Sequence, residues 1–381
     1  MKNTMLRILC VAVMLLMLLT ACNLTETEIP AATTEPVVEV PDDPDTVEIV
    51  SVEANSTPIA VPTEAPTAVP TEATPEETEE PIRQPEPATL QNDGEITANF
   101  PDYDTGADAD YSYQSDNLRI AIKVHKEKLT DNKKRKLNEV YYVADIWIRN
   151  LNSFRTAFAN GKVGGGSEEG DVLARRENAI FAVNGSYNQG LILQQGQVCK
   201  KQREDKGWNS GAVGLIYQDG TLKTFYLQRE SFNVDREIQN GAWYGWQFGP
   251  IIIRDYEAGP GSTSYHNMGF KARNMLGYYE PGHYVIVTCD CRGDDAQGMN
   301  EYMMVDLMKS LGVKEAFNLD GGTSAVMVFM GKIINHPTLR NDNGTMVEGR
   351  PIVDMLLFGE YDENGVSADL STFTAAKFPG K

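Results

Sequence analysis

Two apolar runs in this sequence stop in turns that carry small and polar side chains: Ala182-Val183-Asn184-Gly185-Ser186-Tyr187 and Phe317-Asn318-Leu319-Asp320-Gly321-Gly322-Thr323-Ser324. Between strands, Asn-Gly and Asp-Gly are first of all hairpin turns, because such turns need positive φ. The second turn offers more. Its paired glycines stand beside a carboxylate and two hydroxyls, so backbone N–H groups can approach a ligand without a Cβ in the way. A further group lies in Val287-Thr288-Cys289-Asp290-Cys291-Arg292-Gly293. Strand alternation puts Asp290 and Arg292 together on the face opposite the two cysteines. Upstream, Arg273 adds a planar fork suited to phosphate. Grouped guanidinium forks and a nearby helix N-terminus suit the binding of an anion such as phosphate. A surface ion pair between Asp290 and Arg292 is the plainer alternative.

These groups need elements to hold them. Leu118, Ile120, Ile122 and Val124 alternate with polar or small residues, and Val140, Tyr142, Ala144, Ile146 and Ile148 do so after a polar break at Thr130 to Asn138. The pattern predicts a hairpin. Its tip, Lys133-Lys134-Arg135-Lys136, reads as a solvated loop, with contact to an anionic wall polymer as the other reading. Further strands are expected at Ile180–Val183, Leu191–Leu193, Ala212–Tyr217, Leu222–Leu227, Ile251–Ile253 and Tyr284–Thr288. One helix is expected over Glu301–Leu311, capped by Asn300, ended by Gly312, with Val305, Met308 and Leu311 on its apolar side. Because Asn300 starts this helix shortly after Arg292, free N–H groups there favour an anion. Many short strands with few helices predict an α+β fold, a largely antiparallel sheet with a few flanking helices, preceded by a disordered tether.

The ends of the chain carry an address. Lys2 and Arg7 precede an apolar run, Ile8 to Leu19, which is too short to span a bilayer. Leu19-Thr20-Ala21-Cys22 resembles a lipobox, which implies cleavage after residue 21 and lipid on Cys22. Residues 22–110 read as the tether: 12 of the 19 prolines fall between Pro30 and Pro87, among Thr, Ala and Glu. Residues 23–110 hold 22 acidic side chains against Arg83 alone, whereas residues 111–381 hold 31 basic and 32 acidic ones. The net charge of −20 therefore belongs to the tether and implies nothing about an acidic enzyme. Residues 111–381 are expected to form one domain. Its cysteines, Cys199, Cys289 and Cys291, are an odd set and no disulfide framework; Cys289 and Cys291, two apart on one face of a strand, suit buried structural thiols rather than a metal site. Asp294-Asp295 reads as a solvated loop, with a divalent cation as the alternative; no cofactor motif is evident. The expected setting is the extracytoplasmic face of a membrane, with no nucleic-acid partner.

Taken in order, Asn184-Gly185-Ser186-Tyr187, Gly249-Pro250, Arg273 to Gly277, Asp290-Cys291-Arg292, Gly298-Met299-Asn300, Asn318 to Ser324 and Gly349-Arg350-Pro351 resemble the phosphodiester glycosidase family, that of the uncovering enzyme. The resemblance runs from about Leu118 to Phe358, and Asn-Leu-Asp-Gly-Gly is its most specific segment. It implies hydrolysis between the C1 of an N-acetylhexosamine and the phosphate it bears, on a carbohydrate-phosphate or cell-wall glycopolymer. It further implies Asp320 as the leading catalytic carboxylate with Asp290 as partner. Asn184, Gly185, Arg273, Arg292, Gly321, Gly322, Ser324 and Arg350 would bind substrate. Ser186 and Asn188 stand where the family has a Gly and an aromatic, Cys291 where it has the Gly of Asp-Gly-Arg, and Thr323 where it has a third Gly. The rival class is a wall-binding lipoprotein without catalysis, and the departures at Ser186, Cys291 and Thr323 are its best support; a transporter's solute-binding lipoprotein would need two lobes and a short anchor.

Overall fold

The computed structural model describes residues 90–96, 99–204, 211–260, 269–291, 295–336, 338–340, 346–361 and 377–379. The expected signal peptide, Cys22 and most of the expected tether lie outside the described residues, as do Arg292 and Asp294.

All described strand pairs are antiparallel, as expected. An eight-stranded sheet has the order β1 (Tyr111–Gln114), β2 (Leu118–Thr130), β3 (Lys136–Ile148), β14 (His283–Cys289), β13 (Arg273–Glu280), β15 (Glu315–Leu319), β11 (Ile251–Arg254), β12 (Glu257–Ala258). A five-stranded sheet has the order β7 (Gln197–Lys200), β6 (Ile192–Gln194), β10 (Ala242–Phe248), β8 (Ala212–Tyr217), β9 (Leu222–Tyr226). Another has β17 (Lys332–Ile333), β16 (Met327–Phe329), β5 (Phe181–Asn184), β20 (Asp354–Phe358), β4 (Phe154–Phe158). A separate pair joins β18 (Thr338–Arg340) to β19 (Met346–Glu348).

One face of each large sheet feeds a shared core. Ile120, Ile146, Leu276 and Ile286 come from the first, Ile192, Ile216 and Trp246 from the second, and Phe154, Phe181, Phe329 and Phe358 from the third. Each outer face is covered by a helix of its own. Leu173 and Ala174 of α1 (Gly170–Arg176) pack on Ala182, Val328 and Leu357. Val234 and Ile238 of α2 (Val234–Gln239) pack near Val213 and Leu215. Met303, Met304, Leu307 and Met308 of α3 (Glu301–Ser310) pack on Ile252, Met275, Val285 and Val287. Covering both faces explains why β14 and β15 are buried along their length instead of alternating.

The expected hairpin forms, but its strands pair as far as Thr130 opposite Lys136, leaving a tip of only five residues. For α3 the Asn300 cap and the Gly312 stop hold: Asn300 Oδ1 accepts from Met303 N at 3.1 Å, and Gly312 has φ +75°. Its buried side differs from the expected one. The stripe is centred on Met304 and Met308, with Val305 and Leu311 at the rim, because the sheet beneath covers more than one row of side chains. Packing also begins ahead of residue 111. Ile96 is 4% exposed in the shared core, and Phe100 lies under the guanidinium groups of Arg119 and Arg149. Composition marked residues 90–110 as tether because their few apolar residues show no period.

Candidate active site

The ends of β5, β14 and β15 and the starts of β13 and β20 meet where two sheets abut. Asn184, the last residue of β5, is 2% exposed and ties them together. Its Oδ1 accepts from Val326 N at 3.0 Å and from the Asn274 amide, and its Nδ2 donates to Asp320 O at 2.8 Å. Asp320 N donates to Gly185 O at 2.9 Å. The two similar turns of the sequence are thus neighbours in space. Neither is the hairpin turn that its dipeptide suggests. Gly321 passes so close to β13 that a Cβ there would lie 2.5 Å from Ala272 O, and Gly322 N donates to the same carbonyl at 2.8 Å with φ +62°. The glycines therefore serve backbone approach, as the double-glycine argument anticipates.

Asp320 leaves this turn with a partly exposed carboxylate, 3.7 Å from Arg350 Nη2. Arg350 Nε donates to Ser324 Oγ at 2.8 Å, its backbone N donates to Thr323 O at 3.1 Å, and its guanidinium lies 5.0 Å from the Tyr187 ring centre. Tyr187 is a third exposed, and its ring is set by backbone that L side chains rarely adopt: φ is +59° there and +51° at Asn188. Such strain, of order 1–3 kcal/mol per residue, persists only where neighbours enforce it. The enforcing group is Asp354, the first residue of β20. Its Oδ2 accepts from Ser186 N at 2.8 Å and Ser186 Oγ at 3.1 Å, and its Oδ1 accepts from Tyr187 N at 2.9 Å. Gly185 leaves room for it, since a Cβ there would lie 2.4 Å from Asp354 Oδ2. Burial pushes the Asp354 carboxyl up to about 6 against the opposing pull of these hydrogen bonds, and the charge of Asp320 adds to the rise.

Asp354 was not singled out in the sequence. The signal was modest: an acidic residue opening an apolar run, Asp354-Met355-Leu356-Leu357-Phe358, just after Gly349-Arg350-Pro351.

The other expected site residues are more dispersed. Arg273 is 4% exposed; its Nε donates to Met299 O at 3.1 Å and its Nη2 to Gly269 O at 2.9 Å. Burial lowers its pKa, opposed by the acidic side chains around it, Asp320 among them. In this arrangement it braces the backbone behind the Asp320 turn. Strand β14 ends at Cys289, and Asp290 is itself buried rather than presented on an open face. Asp290 Oδ1 accepts from His336 N at 2.9 Å and Asn335 Nδ2 at 3.2 Å, while Oδ2 lies 3.6 Å from His336 Nδ1. Its pKa is raised by burial and eased down by those contacts. A cleft of about 490 Å³, walled by Tyr111, Lys332, His336 and Phe378, opens beside it. Cys289 and Cys291 are buried free thiols, and Cys199 is free and exposed. Among the described residues no three His, Cys, Asp or Glu side chains group as metal ligands.

The phosphodiester glycosidase family matches residues 170–359, which include Asn184, Arg273, Asp320, Arg350 and Asp354. This chain carries a phosphodiester glycosidase family domain. It is 30% identical over 172 residues to the SPbeta prophage-derived uncharacterized protein YomE of Bacillus subtilis, across 43% of this chain and 26% of that protein. It is 29% identical over 184 residues to the human N-acetylglucosamine-1-phosphodiester alpha-N-acetylglucosaminidase, across 44% of this chain and 35% of the human one. The chain thus spans about a quarter to a third of these curated relatives. In fold it is similar to the catalytic domain of the zebrafish N-acetylglucosamine-1-phosphodiester alpha-N-acetylglucosaminidase, with a TM-score of 0.51 and 20% identity over 66% of this chain and 88% of that one.

Proposed function

We propose that the phosphodiester glycosidase domain hydrolyses the bond between the C1 of an N-acetylhexosamine and a phosphodiester, of the GlcNAc-1-phosphodiester type. The reading extends to location: the chain works outside the membrane, held by lipid on Cys22, on envelope glycopolymers. The observation that carries the chemistry is the pairing of the partly exposed Asp320 carboxylate with the Arg350 guanidinium, beside the exposed face of Tyr187. Cleavage at an anomeric carbon passes through an oxocarbenium-like state that a carboxylate stabilises or supplies with activated water. The C1–O bond breaks, the oxygen leaves on the phosphate, and water supplies the new C1 hydroxyl and a proton. A guanidinium beside the carboxylate suits the phosphate. The Tyr187 ring offers the sugar an apolar platform. Asp354 acts through the Ser186–Tyr187 backbone as a positioning residue, and Asp290, held by Asn335 and His336, keeps the second-carboxylate role as a proposal.

The test is incubation of the purified chain with a GlcNAc-1-phosphodiester and detection of free GlcNAc. Release by the wild type and its loss in Asp320→Asn support the reading. No release by a folded wild type, with glycan binding retained, would instead support the non-catalytic wall-binding class, whose best sequence support is the departures at Ser186, Cys291 and Thr323.

A further inference from the structure

The β2–β3 hairpin carries an uneven charge. Lys126 to Lys136 contains six basic and two acidic side chains, a net charge of +4, whereas the rest of residues 111–381 carries 25 basic and 30 acidic ones. Lys133, Lys134, Arg135 and Lys136 are all exposed. The tip is nonetheless built rather than loose. Asp131 is buried beneath it, with Oδ1 accepting from Lys133 N at 2.9 Å and Arg135 N at 2.8 Å and Oδ2 2.7 Å from the Arg135 guanidinium. Lys134 is held at φ +62°, and the lysines are turned outward.

The tip also leans on the segments that lead to the candidate site. The Arg135 guanidinium lies 5.3 Å from the Phe270 ring centre, Asn132 Oδ1 accepts from Asn300 Nδ2 at 3.4 Å, and Asn138 O accepts from Gln297 N at 3.1 Å. Phe270 is two residues from Ala272, whose carbonyl holds Gly322 N. Two extended residues cover about 7 Å, so one short stretch of backbone joins the tip's contact at Phe270 to the Asp320 turn.

We infer that this tip is a docking surface for a polyanionic glycan, a chain in which phosphodiesters repeat. One linkage would sit at Asp320 while neighbouring phosphates meet Lys133, Lys134 and Lys136. The inference rests on the phosphodiester reading and adds the form of the substrate. A lone small phosphodiester or a neutral sugar leaves the lysines without a role. A polyanion gives them one, because repeated phosphates complement adjacent exposed cations.

The experiment measures binding of the full chain to poly(glycerol phosphate) teichoic acid, with dextran and phosphatidylglycerol vesicles alongside, across a range of NaCl. Wild type is expected to bind the polymer in a salt-dependent way and to leave dextran unbound. The triple variant K133Q/K134Q/K136Q should lose about tenfold or more in affinity, and its salt slope should fall by about 2. The triple Lys→Arg variant should retain both. Equal polymer binding by wild type and the Gln variant would overturn the inference, as would preference for the vesicles over the polymer. Binding is read apart from hydrolysis. Poly(glycerol phosphate) holds no GlcNAc-1-phosphate bond, so hydrolysis is followed separately on a GlcNAc-1-phosphodiester: lysine-dependent polymer binding with no GlcNAc released from that substrate faults the glycosidase reading alone, whereas GlcNAc release without lysine-dependent polymer binding faults this inference alone.

Discussion

At the scale of single residues, the site turns on what each carboxylate faces. Asp320 has a guanidinium at 3.7 Å and some access to solvent; Asp354 has three hydrogen-bond donors and almost none. Asp320→Asn keeps the shape and removes the charge, so turnover on a GlcNAc-1-phosphodiester should fall by about 10²-fold or more, with the melting temperature little changed. Asp354 makes a pH-dependent prediction of defined sign. Its folded pKa, about 6, lies above the ordinary carboxylate value, so the native state holds this proton more tightly than the unfolded chain. Its contribution to stability is complete below about pH 4 and is lost as pH rises through about 6, by up to about 3 kcal/mol. Urea titrations of wild type and Asp354→Asn at pH 4 and 7 should show that difference shrink or vanish in the variant. The Asp-Gly-Gly turn was legible in the sequence as a close backbone approach because its paired glycines stand beside a carboxylate and two hydroxyls, even though both turns resemble hairpins that neither forms. Asp354 was not, because its partners are backbone N–H groups 168 and 167 residues away, which no local pattern announces.

The elements follow the same division. Strands such as β2, with one face in the core and one in solvent, alternate and are found from the sequence; the positions of the three helices over three outer faces are not. Only α3 announces itself, because its cap and stop residues are local signals. Asn300→Ala should cost about 1 kcal/mol by chemical denaturation, since it frees the Met303 N–H. It should also lower turnover, because the neighbouring Met299 carbonyl holds Arg273. Loss of stability with full activity would separate the helix cap from the site. The weaker helices, α1 and α2, are six or seven residues long and depend on the sheets they cover, so their sequence alone carries too little to place them.

For the whole molecule, the prediction concerns where the folded part starts. A fragment beginning at residue 90 should match the full chain in melting temperature and in GlcNAc release. One beginning at residue 111 loses Ile96 from the core and Phe100 from beneath Arg119 and Arg149. Burying a side chain such as Ile96 is worth about 1.5–3 kcal/mol. The shorter fragment should therefore melt several degrees lower, and equal melting would show that residues 90–110 are dispensable. In the proposed cellular setting, Cys22→Ser should move the protein from the membrane fraction to the medium or periplasm without changing its specific activity.

Asp354 opens the last strand of the third sheet, and that position has a temporal meaning. Strand β3 finds its partner β14 only after more than a hundred intervening residues, and the Ser186–Tyr187 turn waits for β20. Pairings this distant make folding slow, on the millisecond-to-second scale. A chain made in order from the N-terminus would have nearly all of its length synthesised before the strained turn could close on its carboxylate. Until then the nascent protein lacks the geometry on which the proposed hydrolysis depends, so that activity would be a late acquisition of the folding chain.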